Sequence, residues 1–153
     1  MKSPRRLLCV LIVLASLIVP AGTAQASTES LKVQAGTDVV RTIDLASEDR
    51  VTLKFSAIGD VSSELRFWVA FANGTTIDYG ETSEREMFFV SEVSGQFIMH
   101  FDNSNSSSSK LVTLNYEVEH YYFGIPSVLF IIVAITVLLA GVAAGYIIMG
   151  KYS

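Results

Sequence analysis

The chain has 153 residues, half of them hydrophobic, and a formal net charge of −4. This length suits one domain, and the hydrophobic share is high for a water-soluble protein. Residues 27–122 contain seven Lys or Arg and 15 Asp or Glu, a net charge of −8. Such acidity argues against nucleic acid or anionic headgroups as partners of this part, because both require a basic face.

The first 26 residues have the pattern of a cleaved secretory signal. Basic residues precede an apolar run from Leu7 to Val19, and Ala24-Gln25-Ala26 follows as a small-residue cleavage site. We predict that residues 1–26 are removed, since 13 apolar residues are short for the alternative, an uncleaved anchor. The only cysteine, Cys9, lies in this segment, so the mature chain is predicted to fold without a disulfide.

Short stretches of alternating apolar and polar residues run through residues 27–122. In the segment 50–57, Val51, Leu53 and Phe55 alternate with polar residues, which is the period-2 pattern of a half-buried strand. Seven or eight such strands are predicted, at 27–34, 38–45, 50–57, 65–71, 75–79, 87–90, 96–101 and 110–118. Separated by turn residues and without a helical period, they predict an antiparallel β-sandwich of about 95 residues.

Two local features refine this prediction. Asn73-Gly74 supplies two residues that tolerate positive φ, so the strands on either side are predicted to form a tight hairpin. Met87-Phe88-Phe89-Val90 is apolar throughout, which predicts a strand covered on both faces.

The last two strands resemble a known family. The segments Gly95–Ser106 and Lys110–Val118 are similar to the closing strands of the GOLD (Golgi dynamics) domain. In that family a glycine, an aromatic residue and alternating apolar residues lead into a Phe-x-Asn-x-x-Ser loop, which a basic residue and a final strand follow. Phe67-Trp68-Val69 leading into Asn73-Gly74 is similar to that family's central strand and hairpin. The resemblance covers about residues 45–118 and implies an all-β antiparallel sandwich, GOLD-like and of the jelly-roll type.

The layout of signal, sandwich and single span also resembles the small cargo receptors of the early secretory pathway. The chain differs from them in three ways. It lacks their disulfide, with His100 where a cysteine is expected, and it has a short connector instead of their coiled-coil stalk. Gly150–Ser153 lacks the paired aromatic and dibasic signals of their tails, which favours the plasma membrane over the endoplasmic reticulum or Golgi.

The segment from Val128 to Met149 contains no charged residue. As an α-helix it would be roughly 33 Å long, about the thickness of the hydrocarbon core of a bilayer. A buried helix of a soluble protein normally shows a polar stripe, which this segment lacks. We therefore predict a connector at 123–127, a transmembrane helix at 128–149 and a cytoplasmic tail at 150–153, with the domain 27–122 outside the cytoplasm.

Two sets of side chains near the span have predicted roles. Aromatic residues anchor a helix at the membrane interface, and the candidates are Tyr121, Tyr122, Phe123 and Tyr146. Small residues four apart allow two helices to approach closely, and the candidates are Gly141, Gly145, Ala140 and Ala144. They predict a homo- or hetero-oligomer through the span, and the alternative is a small-residue stretch without a partner.

Asn73 and Asn105 begin Asn-x-Ser/Thr sequences on predicted loops, so both are candidate N-glycosylation sites. The alternative interpretations are that Asn73 serves its turn and that Asn105 belongs to a serine-rich loop.

No enzyme is predicted, and no cofactor or metal. His100 and His120 lie near neither a nucleophile motif nor a metal-ligand spacing. Asp102 and Asn103 offer oxygen atoms to a cation, but such residues are far more common in turns. An enzymatic function would require a pocket that joins His100 to a carboxylate such as that of Asp102.

These observations predict a single-span membrane protein that displays a protein-binding module outside the cytoplasm, in the manner of a cargo receptor or accessory protein. Its partners would be membrane lipid and another exported or membrane protein, bound through acidic strand edges and the loop from Asp102 to Ser109. The alternative function is a small structural subunit whose helix docks in a larger membrane complex while the sandwich covers it.

Overall fold

The computed structural model describes residues 25–151, and the side chains of Met149 and Lys151 are outside that description. The predicted signal therefore lies outside the described residues except for Gln25 and Ala26, which begin the first strand. The described chain forms two compact units, residues 25–121 and 122–151. The first is a β-sandwich and the second contains one long helix.

Eight strands build the sandwich within residues 25–121. They are β1 (Gln25–Val33), β2 (Asp38–Leu45), β3 (Arg50–Gly59), β4 (Leu65–Ala70), β5 (Thr76–Thr82), β6 (Glu84–Val90), β7 (Gly95–Asp102) and β8 (Lys110–Glu119). Sheet I has the order β1-β8-β3-β6 and sheet II the order β2-β7-β4-β5, and the pairs are antiparallel. Consecutive strands lie in alternate sheets except β4 and β5, which pair with each other in sheet II. This order is that of a jelly roll, so the predicted fold class is confirmed.

The core lies between the two sheets and is rich in phenylalanine. Val51, Leu53 and Phe55 are fully buried, as their alternation predicted. The ring of Phe55 lies 4.6 Å from that of Phe67 and 5.2 Å from that of Phe101, so residues of both sheets meet at one aromatic cluster. Such pairs contribute about 0.5–1.5 kcal/mol each beyond the burial of their area.

Strand β6 differs from its prediction. It is the last strand of sheet I, and the side chains of Phe88 and Val90 are 64% and 47% exposed. The expectation of a strand covered on both faces is therefore wrong. Met87 and Phe89 pack against the core while Phe88 and Val90 face outward, and a uniformly apolar run does not reveal which of its faces is covered.

The Asn73-Gly74 hairpin is present with a different turn geometry. Of these two residues only Gly74 has a positive φ, at 85°. The backbone N–H of Phe71 donates to the carbonyl of Thr75 over 2.8 Å, and that of Gly74 donates to the carbonyl of Phe71 over 3.0 Å. Asn73 contributes through its side chain, whose Oδ1 accepts from the Thr75 N–H over 2.9 Å. The loop thus has three residues, with glycine required only at its last position.

After the sandwich the chain forms a short hairpin of β9 (Tyr121–Tyr122) and β10 (Ile125–Pro126), whose turn residues Phe123 and Gly124 both have positive φ. Helix α1 (Ser127–Lys151) follows, somewhat longer than the predicted span. Its stretch Ser127–Ile148 has a mean hydropathy of 2.8, and every residue of it after Ser127 is exposed or only half-buried. By length and composition it is able to cross a membrane.

A polar and aromatic face as the candidate functional site

The outward side of sheet II carries a group of aromatic and charged side chains, which we call the sheet II face. Because side chains alternate along a strand, the residues between buried ones point away from the core. The pairing of β4 with its neighbours then places Trp68 opposite His100 and Asp78, and Arg66 opposite Asp102. The sheet II face is defined by Asp38, Arg66, Trp68, Asp78, His100 and Asp102.

Trp68 and His100 form a stacked pair. Their ring centroids are 3.5 Å apart and their planes are 11° from parallel. His100 Nδ1 lies 2.7 Å from Asp38 Oδ2, within hydrogen-bond distance. Trp68 and Asp38 thus hold the imidazole of His100 from two sides, and its side chain is only 16% exposed.

Arg66 lies beside this stack and is held by Asp78. Its Nε donates to Asp78 Oδ2 over 3.0 Å, and a second guanidinium nitrogen donates to the same oxygen. This bond lowers the pKa of the Asp78 carboxyl and raises that of Arg66. The Ser104 hydroxyl similarly lowers the pKa of Asp102, with smaller contributions from Arg66 and His100. Both carboxylates are therefore ionised at neutral pH, one on either side of the guanidinium.

A β-bulge positions Asp78. The pairing of β4 with β5 shifts between Arg66 and Trp68, and Gly80 within β5 has a φ of 72°. The Gly80 N–H donates to Asp78 Oδ1 over 2.9 Å, which leaves Oδ2 for Arg66. A glycine inside an alternating strand is a signal for such a bulge, and Gly80 is the sequence signal for the placement of Asp78.

The loop after β7 adjoins the face and is fixed from within by Asn103. The Asn103 side chain is 2% exposed, and its Nδ2 donates to the carbonyls of Gln34 and Ser108 over 3.0 and 2.9 Å. Its backbone N–H donates to the carbonyl of Thr37 over 2.9 Å. The loop predicted to take part in recognition is thus fastened to the β1–β2 turn.

Two shallow depressions meet at Arg66. One, of about 380 Å³, is lined by Arg66, Trp68, Thr76, Ile77 and Asp78. The other, of about 230 Å³, lies between Arg66, Glu81 and Asp102 of the sheet and Asn105 to Ser107 of the loop. Arg66 therefore connects the aromatic part of the face to the loop.

The structure does not bring together a catalytic or metal site from the predicted candidates. His100 binds Asp38, and neither depression is lined by both His100 and Asp102. Within residues 25–151 no group of three or more His, Cys, Asp or Glu is arranged to hold a metal ion. Asn103 Nδ2 contacts the backbone carbonyls of Val33, Gln34 and Ser108, which fixes this residue within the loop.

The other predicted residues are spread over both units. Asn73 and Asn105 are exposed on the loops where glycosylation was predicted. Tyr121 packs under the Arg50 guanidinium, 4.0 Å from its ring centroid, whereas Tyr122 and Phe123 lie near Phe130. Within the helix unit Tyr146 is exposed, and a Cβ added at Gly141 or Gly145 would meet no atom within 4 Å. Ala140 and Ala144 are exposed beside them.

No family model and no curated protein matches this sequence. Among solved structures, the chain is similar to PliG of Aeromonas hydrophila, a periplasmic inhibitor of g-type lysozyme, at 14% identity and a TM-score of 0.41 over 65% of this chain and 89% of that one. A PliG mutant from Escherichia coli shows 9% identity and a TM-score of 0.40 over 65% and 90%. A protein of Bacillus endospore appendages shows 8% and 0.38 over 64% and 89%. At these values the similarities carry no functional conclusion.

Proposed function

We propose that this protein is a membrane-anchored, GOLD-like module that binds another protein outside the cytoplasm through the sheet II face. The observation that carries the proposal is Arg66, which is held by Asp78 between the Trp68–His100 stack and the loop fixed by Asn103. Trp and Arg are the residue types that contribute most to protein interfaces, particularly where they are ordered before binding.

The charges of the face indicate the chemistry of the partner. Asp38 and Asp78 each have a positive or protonatable group within hydrogen-bond distance, and Asp102 and Glu81 border the depression beside the loop together with Arg66 and Lys110. With the whole sandwich acidic, the face favours a basic partner and repels an acidic one.

Anchoring rests on the helix. Its apolar stretch is 22 residues long and none of its residues after Ser127 is buried within the described chain, which favours a membrane span over the core helix of a soluble domain. Exposure of that much apolar surface to water is unfavourable by roughly 25 cal/mol per Å², and a bilayer removes it. We place the protein at the plasma membrane, which fractionation of the tagged chain would test.

The test is photo-crosslinking in the native membrane. A photoreactive amino acid at Thr76, in the larger depression, is expected to capture a partner, and Arg66→Ala or Trp68→Ala is expected to reduce capture at least about tenfold. The matched control is Lys54→Ala, because Lys54 forms a comparable surface pair with Glu86, 3.5 Å away, on sheet I. Equal capture by all variants, or capture by none including the parent, would overturn the proposal.

The open surroundings of Gly141 and Gly145 favour the second function, a structural subunit that docks through its helix. Replacing both glycines with leucine would then remove every co-purifying partner, whereas Arg66→Ala would leave them bound. If the sandwich is the binding module, the opposite result is expected.

A further inference from the structure

Strand β6 is the open edge of sheet I. It pairs with β3 from Arg50 opposite Val90 to Ser56 opposite Glu84, and no other strand of the described residues pairs with it. The far side of an edge strand carries backbone N–H and C=O groups that the sheet does not use. Such a row is a template for a further strand.

The second half of β6 lacks the usual protection of an edge. Met87 to Val90 contains no charge, no proline and no shift in register, while Phe88 and Val90 are largely exposed. The edge strand β5 of sheet II, in contrast, is interrupted by the bulge at Gly80 and carries Asp78 and Glu81. Proteins normally keep strand edges from pairing by such devices, so their absence from Met87–Val90 points to use of this edge.

The edges on the other side of the sandwich, β1 and β2, are charged and tied to each other. Glu29 of β1 accepts from Arg41 of β2 over 2.7 Å. The unprotected edge is therefore confined to β6.

The outward side chains of β6 divide the strand into two halves. Glu84 and Glu86 form an acidic half, and Phe88 and Val90 form an apolar half. On the neighbouring β3, Lys54 lies opposite Glu86 and Thr52 lies opposite Phe88. A strand added outside β6 would place its own outward residues against the four outward side chains of β6.

We propose that β6 accepts an extended segment of a partner protein as a fifth strand of sheet I. In antiparallel pairing that segment would read apolar-x-apolar-x-basic-x-basic, so that apolar residues lie opposite Val90 and Phe88 and basic residues lie opposite Glu86 and Glu84. This edge is separate from the sheet II face and would provide a second contact. Main-chain hydrogen bonds would hold the added segment, and pairing with the side chains of β6 would select its sequence.

A second copy of this chain does not fit the same edge. Antiparallel pairing of β6 with itself places Glu86 opposite another Glu86, opposite Phe88 or opposite Val90 in the registers that cover both Glu86 and Phe88. Each arrangement puts a carboxylate against an apolar side chain or another carboxylate, which is unfavourable. A heterologous, basic segment avoids both.

The experiment uses the full chain in lipid nanodiscs and a synthetic nine-residue peptide, TVTVTKTKT, with TVTVTETET as the control peptide. Hydrogen exchange of the backbone amides measured by mass spectrometry would locate the peptide. We expect TVTVTKTKT to slow exchange in the segment 84–90, and TVTVTETET to leave it unchanged. Protection of backbone amides distinguishes strand addition from contact by side chains alone.

Two lysine substitutions provide matched variants. Phe88→Lys places a positive charge on the edge and is expected to weaken binding of TVTVTKTKT about tenfold or more. Thr52→Lys places the same charge one strand further in, on the same face, and is expected to change binding less than about twofold.

Several results would overturn the inference: no slowing in 84–90, equal binding of both peptides, or equal loss in both variants. Protection of 84–90 in the absence of peptide, together with a dimeric mass, would assign the edge to a second copy instead. The outcome is independent of the proposed function, since Phe88→Lys leaves Arg66 and Trp68 in place and crosslinking at Thr76 would continue. If the parent chain captured no partner at Thr76 but still bound TVTVTKTKT, the proposed function would be overturned and this inference would stand.

Discussion

Replacing Asn103 with alanine tests whether the loop beside Arg66 is held from within. The side chain is buried and donates to the carbonyls of Gln34 and Ser108, with a longer contact of 3.4 Å to that of Val33. Alanine removes all of these bonds and leaves the carbonyl oxygens without their donor. Each net hydrogen bond contributes about 0.5–1.5 kcal/mol, and a buried group left unpaired costs about 1–3 kcal/mol.

The expected loss of stability is partly offset, because the parent chain itself has one unfavourable feature at this residue. Asn103 Oδ1 is buried and has no hydrogen-bond partner in the described chain, and alanine removes that penalty. We therefore expect Asn103→Ala to lower the free energy of unfolding by about 2–3 kcal/mol. For a domain of roughly 100 residues this corresponds to a Tm about 10–20 °C lower.

The assay is thermal unfolding of the full chain in nanodiscs, followed by the fluorescence of Trp68, the only tryptophan. The control is Asn105→Ala, an exposed residue of the same loop, which is expected to change stability by less than about 0.5 kcal/mol. Asn103→Asp keeps the size but sets a carboxylate oxygen against the carbonyls, so it should be at least as unstable as the alanine variant. If Asn103→Ala matched Asn105→Ala, the proposed role of the amide would be refuted.

Three further predictions concern the sandwich. Ser104→Ala should lower the Tm at pH 7, and the difference from the parent should vanish in acid. The reason is that the lowered pKa of Asp102 contributes stability that is present above the ordinary pKa of 3.8 and is lost as the pH falls through the pKa of the folded state. Measuring the Tm across pH 2–7 checks this, and a Tm difference independent of pH would contradict it. Asp49→Ala should lower the free energy of unfolding, measured with denaturant, by about 3 kcal/mol, because the fully buried carboxyl group of Asp49 accepts from the Ala46 N–H and from His120, each over 2.8 Å. Asp49→Asn keeps an acceptor and should lower it less. Equal losses in the two variants would argue against these hydrogen bonds. Gly95→Ala should lower the Tm more than Gly36→Ala, because a Cβ at position 95 would lie 2.6 Å from the Cβ of Ala72 whereas the space at position 36 is open. Adding Ala72→Gly to Gly95→Ala should restore part of the lost Tm. No recovery would show that backbone strain alone is responsible.

The alternation of apolar residues was sufficient to predict most of the fold. Val51, Leu53 and Phe55 specify which face of β3 is buried, and similar patterns in β4, β7 and β8 indicate the strands and therefore the sandwich. Strand β6 could not be placed in this way. Its apolar residues suit either a central or an edge strand, and only the order of the sheet, in which β3 is the one neighbour of β6 among the described residues, decides between them.

The candidate site was harder to predict because it depends on register. Trp68 and His100 are far apart in sequence, and they stack only because β4 and β7 are paired in one particular alignment. Arg66 reaches Asp78 through a bulge that shifts the alignment within one strand. Neither contact leaves a pattern in the sequence beyond Gly80. The loop after β7 was predicted as a recognition element, and that role stays a prediction, now with Arg66 beside it.

The position of β8 has a mechanical consequence. This strand leads to the helix, and it lies between β1 and β3, paired along nearly its whole length with both. A pull transmitted through the polypeptide would therefore have to break two hydrogen-bonded ladders at once and could not peel off a single edge strand. The sandwich is joined to the helix through a strand that is paired on both sides. A pulling force on a bound partner should therefore break the contact with that partner before it unfolds the domain.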